Sequence, residues 1–156
     1  MEIKVDKVLC PIDFSDNSEY AARYAVAFAK AHGAELILLH VMPPPMYAVP
    51  DYTGIHEFSP EEIRQFEEQV RKRLDDFTAG LRGEYDKVDS ALANGVPFVE
   101  ILRTAKDRDV DLIVMGTHGR TGLPHMLIGS VAEKVVRKAP CPVLTVRHPE
   151  HEFEMP

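Results

Sequence analysis

Tryptophan is absent from this sequence, and its 156 residues include only two cysteines. Cys10 and Cys141 each stand beside a proline in an apolar run, and neither has a companion ligand at metal-binding spacing. We interpret both as buried, small apolar residues rather than as reactive thiols. A chain of this length can bury a sufficient core without disulfides or a structural metal, so a single domain is expected.

Basic residues and long apolar segments are also few. The 18 lysines and arginines face 25 acidic residues, for a formal net charge of -7, and such a surface does not attract nucleic acids or anionic membranes. No apolar stretch approaches the roughly 20 residues that span a bilayer. Residues 1–6 lack the basic flank and the apolar run of a signal peptide. We therefore expect a cytoplasmic protein that binds neither nucleic acid nor membranes.

Short apolar strands alternate with helical patterns along the chain. This order is typical of a parallel sheet covered by helices. Right-handed crossovers then favour an α/β fold, a doubly wound five-stranded parallel sheet in the order 3-2-1-4-5 with helices on both faces. The strands are predicted at residues 7–12, 35–41, 85–93, 111–115 and 141–147.

Four helices are predicted between these strands. The second begins at a capping box formed by Ser59 and Glu62, and the fourth covers residues 131–138. The four prolines of segment 42–58 predict a long loop without regular structure. We place the single domain at residues 1–148 and expect 149–156 to form a flexible tail. The first helix follows Ser15 and is indicated by residues at helical spacing: Tyr20, Tyr24, Ala27, Phe28 and Ala31.

A glycine-rich segment follows the fourth strand. Gly116, Gly119 and Gly122 fall within seven residues, and Gly129 and Ser130 stand at the start of the fourth helix. Backbone amides in such a loop can close around an anion. In a doubly wound sheet the ligand crevice lies where the chain order reverses, at the carboxyl ends of the first and fourth strands. We therefore predict a phosphate-binding loop at this crevice.

Two common phosphate motifs are excluded. The Walker loop requires a lysine before its final serine or threonine, where this sequence has Gly129. The dinucleotide-binding fingerprint requires glycines directly after the first strand, and residues 11–14 contain none. The chain is therefore neither a P-loop NTPase nor a Rossmann dehydrogenase.

The pattern Gly116-x2-Gly119-x9-Gly129-Ser130 resembles the ATP-binding branch of the universal stress protein family. Asp13 at the end of the first strand and the Cys-Pro-Val start of the last strand fit the same family, so the resemblance covers nearly the whole chain. It implies a stress-response regulatory protein that binds ATP or a related adenine nucleotide, with Mg²⁺ or Mn²⁺ at the phosphates. The state of the protein would depend on whether the nucleotide is bound, and hydrolysis of the nucleotide would be slow at most.

The resemblance also implies where each part of the nucleotide lies. Adenine is expected near Val41 and the first-strand end, ribose on Asp13, and phosphates against the glycine-rich loop. A carboxylate can accept hydrogen bonds from both ribose hydroxyls, and backbone amides can bind the adenine edge. The implied contacts are Pro11, Ile12, Asp13, Val41, Met115, Gly116, His118, Gly119, Arg120, Gly129, Ser130 and Val131.

Other interpretations stay open at several of these positions. Asp13 can instead cap the first helix, and Ser130 can form a capping box with Glu133. His118 and His125 are interpreted as solvated loop residues rather than as proton-transfer groups, so no catalytic residue is assigned. A hydrolase or nucleotidyl-transferring enzyme using the same loop is the second hypothesis. A phospho-acceptor receiver domain is disfavoured, because its third strand would end in an acidic residue where this chain has Ala93 and Asn94.

The sequence of the last strand predicts that two copies of the chain pair with each other. This strand should lie at one edge of the sheet, yet Val143, Leu144 and Val146 belong to a run without charge or proline, the features that usually protect edge strands. We predict a homodimer in which two last strands pair antiparallel, a mode that the family resemblance also implies. The alternative is that the acidic tail, residues 150–154, folds back over this edge.

Overall fold

The computed structural model describes residues 1, 3–44, 48–51, 54–119 and 128–149, and its centre is a five-stranded parallel sheet. When only the strands of this sheet are counted along the chain, they lie in the order 3-2-1-4-5, with the first strand in the middle. Every neighbouring pair is parallel. The predicted doubly wound fold is therefore confirmed. Its strands are β1 (Lys7–Pro11), β2 (Glu35–Met42), β5 (Val88–Asn94), β6 (Leu112–Gly116) and β7 (Val143–Val146).

A second, smaller sheet corrects the interpretation of segment 42–58 as a loop without regular structure. Strands β3 (Ala48–Asp51) and β4 (Gly54–Glu57) pair antiparallel within it. The prolines suggested a loop because a central strand cannot lose a backbone donor. A two-stranded ribbon has an open side on each strand, so Pro50 is tolerated there.

Four helices cover the two faces of the large sheet: α1 (Asp16–His32), α2 (Pro60–Arg82), α3 (Pro97–Asp107) and α4 (Ser130–Lys138). Helices α1 and α2 pack on one face, and α3 and α4 pack on the other. Successive residues of β2 alternate between the two apolar clusters, so this strand is buried on both sides. This burial on both sides explains why the run at 35–41 is almost entirely apolar. Within the described residues, no helix has the length and apolar character needed to cross a membrane.

Helix α1 is confirmed, but of the residues that indicated it only Tyr20 packs against the core. Tyr24 and Phe28 are 42% and 36% exposed, and Ala27 and Ala31 are also exposed. The buried face instead carries small side chains, namely Ser18, Ala21, Ala22, Ala25, Val26 and Ala29. Small residues on this face allow the helix to lie close to the sheet.

The helix boundaries agree with most of the predicted caps. Ser59 and Glu62 form the expected capping box at the start of α2. Gly33 ends α1 in the left-handed conformation, with φ of 67°. The N-cap of α4 differs from the predicted one, and it is described below with the candidate site.

Candidate functional site

The residues that follow β1 and β6 meet where the order of the strands reverses. A Cβ atom built on Gly119 would lie 2.8 Å from Oδ2 of Asp13. Gly119 is exposed and Asp13 is half-buried, so both border solvent at the carboxyl end of the sheet. The structure therefore brings the predicted ribose residue next to Gly119, which follows β6 and belongs to the start of the predicted phosphate loop, where the strand order reverses.

Asp13 is fixed by the start of α1 without being its cap. Its Oδ1 atom accepts hydrogen bonds from the backbone N–H of Ser15 at 3.0 Å and from the Ser15 hydroxyl at 2.5 Å. The backbone N–H of Asp13 donates to Oγ of Ser18 at 3.2 Å. The N-cap is Ser15, whose Oγ accepts from the N–H of Ser18. The alternative in which Asp13 caps this helix is therefore wrong, and its carboxylate orients the residue that does so.

The next residue, Phe14, has an unusual backbone conformation. Its φ of 62° lies in the left-handed region, which a bulky side chain rarely adopts. The ring is nevertheless buried, with the His40 ring at 4.7 Å between centroids and the Arg73 guanidinium carbon at 4.4 Å. Packing from β2 and α2 therefore holds the turn after β1 in place.

His40 is a polar residue of this site that the sequence reasoning did not identify. It is 9% exposed, and its Nδ1 atom lies 2.8 Å from the backbone oxygen of Ile12. A carbonyl only accepts hydrogen bonds, so Nδ1 carries the proton. The available signal was a histidine inside the otherwise apolar run at 35–41.

The glycines of the loop have different neighbours. A Cβ on Gly116 would lie 3.1 Å from the backbone oxygen of Asn17, so the absence of a side chain there helps α1 to lie close to β6. A Cβ on Gly129 would lie 3.1 Å from the backbone oxygen of Thr117, which accepts the N–H of Gly129 at 2.6 Å. Residues 117 and 129 therefore join the two ends of the glycine-rich segment. Residues 120–127, which include the predicted contact Arg120 as well as Gly122 and His125, lie outside the described residues.

Helix α4 begins one residue earlier than a Ser130 cap requires. Gly129 is its N-cap, with extended backbone angles and no side-chain cap, and Ser130 is its first, exposed residue. The predicted capping box of Ser130 and Glu133 is therefore wrong, and the N–H of Glu133 bonds to the backbone oxygen of Gly129 at 2.9 Å. Within the part of the chain that the structure describes, no side chain caps the start of α4, and its first amides are suited to an anion or to water.

The predicted adenine contacts are buried strand-end residues of both apolar clusters, with Ile12 in the cluster under α1 and α2. Ile12, Val41 and Met115 are 4%, 8% and 5% exposed, and Val41 and Met115 share the apolar cluster under α3 and α4. The N–H of Leu36 bonds toward β5 at Lys87, and strand amides alternate in direction. The N–H of Val41 therefore points toward β1, the side of the crevice.

Three further predicted contacts complete the description. Pro11 is half-buried at the end of β1, and Val131 is half-buried at the start of α4. His118 is only 5% exposed, with its Nδ1 atom 3.0 Å from the hydroxyl of Thr117. The interpretation of His118 as a solvated loop residue is therefore wrong, because the chain turns it inward directly after β6.

The described part of the chain contains no group of three or more His, Cys, Asp or Glu side chains placed to hold a metal ion. At the crevice the carboxylate that it offers is Asp13. Any cation bound there would therefore take most of its ligands from a bound molecule and from water.

A family model described as the universal stress protein family matches residues 4–147. The chain belongs to this family. The universal stress protein MJ0577 of Methanocaldococcus jannaschii is 32% identical over 158 aligned residues, which cover 94% of this chain and 98% of that protein. The solved structure of MJ0577 matches with a TM-score of 0.70 at 31% identity, over 95% of this chain and 99% of that one. The sequence resemblance is thereby confirmed.

Two other solved universal stress proteins carry nucleotides. One, from Archaeoglobus fulgidus, is in complex with dAMP and matches with a TM-score of 0.64 at 23% identity, over 92% of this chain and 98% of that one. Another is in complex with cAMP and matches with a TM-score of 0.66 at 21% identity, over 92% of this chain and 98% of that one. At these identities the likeness establishes the shared fold.

Proposed function

We propose that this universal stress protein is a cytoplasmic regulatory protein that binds ATP in the crevice between β1 and β6, and that its affinity for a partner depends on occupancy. The observation that carries the proposal is the position of Gly119 directly against the carboxylate of Asp13. One side chain suited to ribose hydroxyls and one backbone segment suited to phosphate thus face the same space. The complexes of two family members with dAMP and cAMP support an adenine nucleotide as the ligand.

The ribose is proposed to bind at Asp13. Two hydrogen bonds from Ser15 hold Oδ1, which fixes the carboxylate plane and directs Oδ2 toward Gly119. A carboxylate held in advance loses little freedom when it accepts hydroxyl protons, so the hydrogen bonds contribute more fully to affinity.

The phosphates are proposed to lie between Gly119 and the start of α4. Gly129 contributes no side chain at this helix start, and the exposed Ser130 adds a hydroxyl. The positive end of the helix dipole and the amides of its first turn favour an anion at this point. Arg120 is proposed as an additional cation at the phosphates, and Mg²⁺ or Mn²⁺ would bind mainly through phosphate oxygens.

Adenine is proposed to lie against the strand ends at Ile12, Val41 and Met115. Burial of these side chains gives the base an apolar surface, and the N–H of Val41 on the β1 side is placed to donate to a ring nitrogen. Guanine carries an N–H at the ring position where adenine has an acceptor nitrogen, so a backbone donor there favours adenine.

Calorimetric titration of the purified protein with ATP and GTP, with and without Mg²⁺, tests this proposal. We expect ATP to bind, GTP to bind more weakly, and Mg²⁺ to strengthen the binding of ATP. Titrations with AMP and cAMP then show how many phosphates the site requires. Absence of adenine nucleotide binding at millimolar concentration would falsify the proposed function.

A further inference from the structure

His40 joins the core of the protein to the turn that carries Asp13. It lies on β2, opposite Leu92 of β5, with its side chain on the face that packs against α1 and α2. From there it contacts the strand end on its other side, where Nδ1 donates to the backbone oxygen of Ile12 at 2.8 Å. A buried side chain of β2 thus holds the residue that immediately precedes Asp13.

The ladder between β1 and β2 ends at this point. The N–H of Ile12 donates to the backbone oxygen of Leu39 at 2.8 Å, beyond the last paired residues, Pro11 and Leu39. The chain then leaves the sheet through Asp13 and the left-handed Phe14. The His40 imidazole replaces backbone pairing as the support of the strand end, since it binds the oxygen of the last sheet-like residue.

The same ring supports Phe14. The centroids of the two rings are 4.7 Å apart, and Arg73 of α2 lies on Phe14 at 4.4 Å. A left-handed conformation at a bulky residue persists only where its surroundings hold it. His40 therefore fixes the turn twice, by a hydrogen bond before Asp13 and by ring packing after it.

We propose that His40 is a positioning residue for the nucleotide: it sets the backbone on both sides of Asp13 and so aims that carboxylate at the ribose. This inference rests on the proposed function. It assigns to His40 no contact with the ligand, because its side chain is buried beneath the turn. The Nδ1 donor should matter most, since without it the buried Ile12 oxygen loses a hydrogen bond and the strand end is released.

The central variant is His40→Phe, which keeps a ring against Phe14 and removes the donor. We expect its affinity for ATP to fall about 5- to 150-fold, the range for a buried acceptor that loses its partner, and its affinity for 2′,3′-dideoxyATP to change less than about twofold. The dideoxy nucleotide lacks the hydroxyls that Asp13 would bind, so misplacement of Asp13 costs it nothing. Equal losses for the two nucleotides would overturn the inference.

A rescue variant and a double variant separate positioning from loss of structure. In His40→Asn the amide nitrogen can occupy the place of Nδ1, so most of the ATP affinity should return. In the pair His40→Phe with Asp13→Asn, the loss for ATP should equal that of Asp13→Asn alone, because both changes remove one interaction. Failure of the rescue, or full additivity in the pair, would overturn the positioning role.

Tyr85→Phe is the matched control. It removes a hydrogen bond from a side chain to a backbone oxygen, Tyr85 to Ala34 at 2.7 Å, at the opposite end of β2. Its stability should fall, while both nucleotides should bind as they do to the unaltered protein. If this control also lost ATP selectively, the effect of His40 would be a general loss of stability. If the unaltered protein bound neither nucleotide, the proposed function itself would fail.

Discussion

Oδ2 of Asp13 would lie 2.8 Å from a Cβ atom built on Gly119, closer than a carbon and an oxygen approach without a bond. A side chain at position 119 therefore cannot be added without a shift of the Asp13 carboxylate or of the loop. A methyl group there would push the loop or Asp13 out of place. The added methyl group would therefore disturb both proposed binding elements, the carboxylate for the ribose and the loop for the phosphates.

Gly119→Ala should consequently abolish detectable ATP binding in calorimetry. Gly80→Ala is the control, because a Cβ on Gly80 of α2 meets nothing within 4 Å. That substitution should leave ATP binding unchanged and stabilise the protein by up to about 1 kcal/mol, the helix preference of alanine over glycine. ATP binding by Gly119→Ala at unaltered affinity would place the phosphates elsewhere.

Asp13→Asn should weaken ATP binding by about 1.5 to 3 kcal/mol, the contribution of hydrogen bonds to a charged group. Asparagine keeps an oxygen for the two hydrogen bonds from Ser15, so stability should fall less than in Asp13→Ala. Asp16→Asn, an exposed acid in the first turn of the same helix, should leave ATP affinity unchanged. Titration calorimetry and thermal unfolding of the three variants measure both effects. Equal ATP affinities for Asp13→Asn and Asp16→Asn would exclude the carboxylate as the ribose ligand.

Any ATPase activity should be slow, with turnover below about 1 per second, the lower end for dedicated enzymes. Asp13 and His118, the titratable side chains described nearest the proposed phosphates, are engaged, Asp13 by Ser15 and His118 by the Thr117 hydroxyl. Neither is presented as a general base. Phosphate release assays on the protein and on His118→Asn check this expectation, and rapid turnover that the variant loses would favour the enzyme hypothesis instead.

A homodimer through β7 remains a prediction, and the sheet indicates which variant tests it. The N–H groups of Ile113 and Thr117 bond to the oxygens of Pro142 and Val146. By alternation, the backbone of Leu144 is directed inward to β6, and that of Val143 and Thr145 faces the open edge.

Thr145→Pro should therefore convert the dimer to a folded monomer, because it removes an outward donor. Leu144→Pro should instead lower the stability of the sheet itself. Sedimentation at micromolar concentration, together with circular dichroism, distinguishes the two results. Removal of residues 149–156 tests the tail alternative, since a monomer that dimerises only after truncation would mean that the tail shields the edge.

Cys10 should resist thiol reagents in the folded protein. Its complete burial raises the pKa of the thiol to about 12. Burial and the nearby Asp111 also raise the pKa of Cys141, which is only half-buried. In a Cys141→Ala variant, a disulfide reagent at mildly alkaline pH should label no thiol until the protein is unfolded. Rapid labelling of the native variant would contradict the burial of Cys10.

The raised pKa of Cys10 also has a consequence for stability. In the unfolded chain the thiol ionises near its ordinary pKa of 9.0, whereas in the folded protein it keeps its proton up to about 12. Its contribution to stability is therefore complete below pH 9.0 and is lost as the pH rises toward 12.

The sequence predicted the sheet well because its strands are marked by composition. The run at 35–41 is almost entirely apolar, as expected for a strand buried on both faces, and the glycines after β6 mark the crevice. The buried face of α1 could not be predicted in the same way. Tyr24 and Phe28 are more apolar in area than Ala21 and Ala25, and only the distance to the sheet decides that alanines fit and aromatics do not.

The supports of the candidate site were equally hidden. His40 lies 28 positions from Ile12 in the sequence, and their hydrogen bond exists only because β1 and β2 are neighbours in the sheet. The left-handed Phe14 gave no signal either, since glycine or asparagine usually marks that conformation. Pro50 contributed to the wrong prediction of a loop at 42–58, because a proline excludes a central strand but not a strand of a two-stranded ribbon.

The alanine face of α1 works as a spacer of fixed thickness. Ala21, Ala22, Ala25 and Ala29 are fully buried against the sheet, and the same helix begins beside Gly116, against the backbone of Asn17. A larger residue at any of these four positions would lift the helix and carry Ser15, and with it Asp13, away from Gly119. Substitutions at these core positions are therefore limited by the need to keep the geometry of the crevice at the surface.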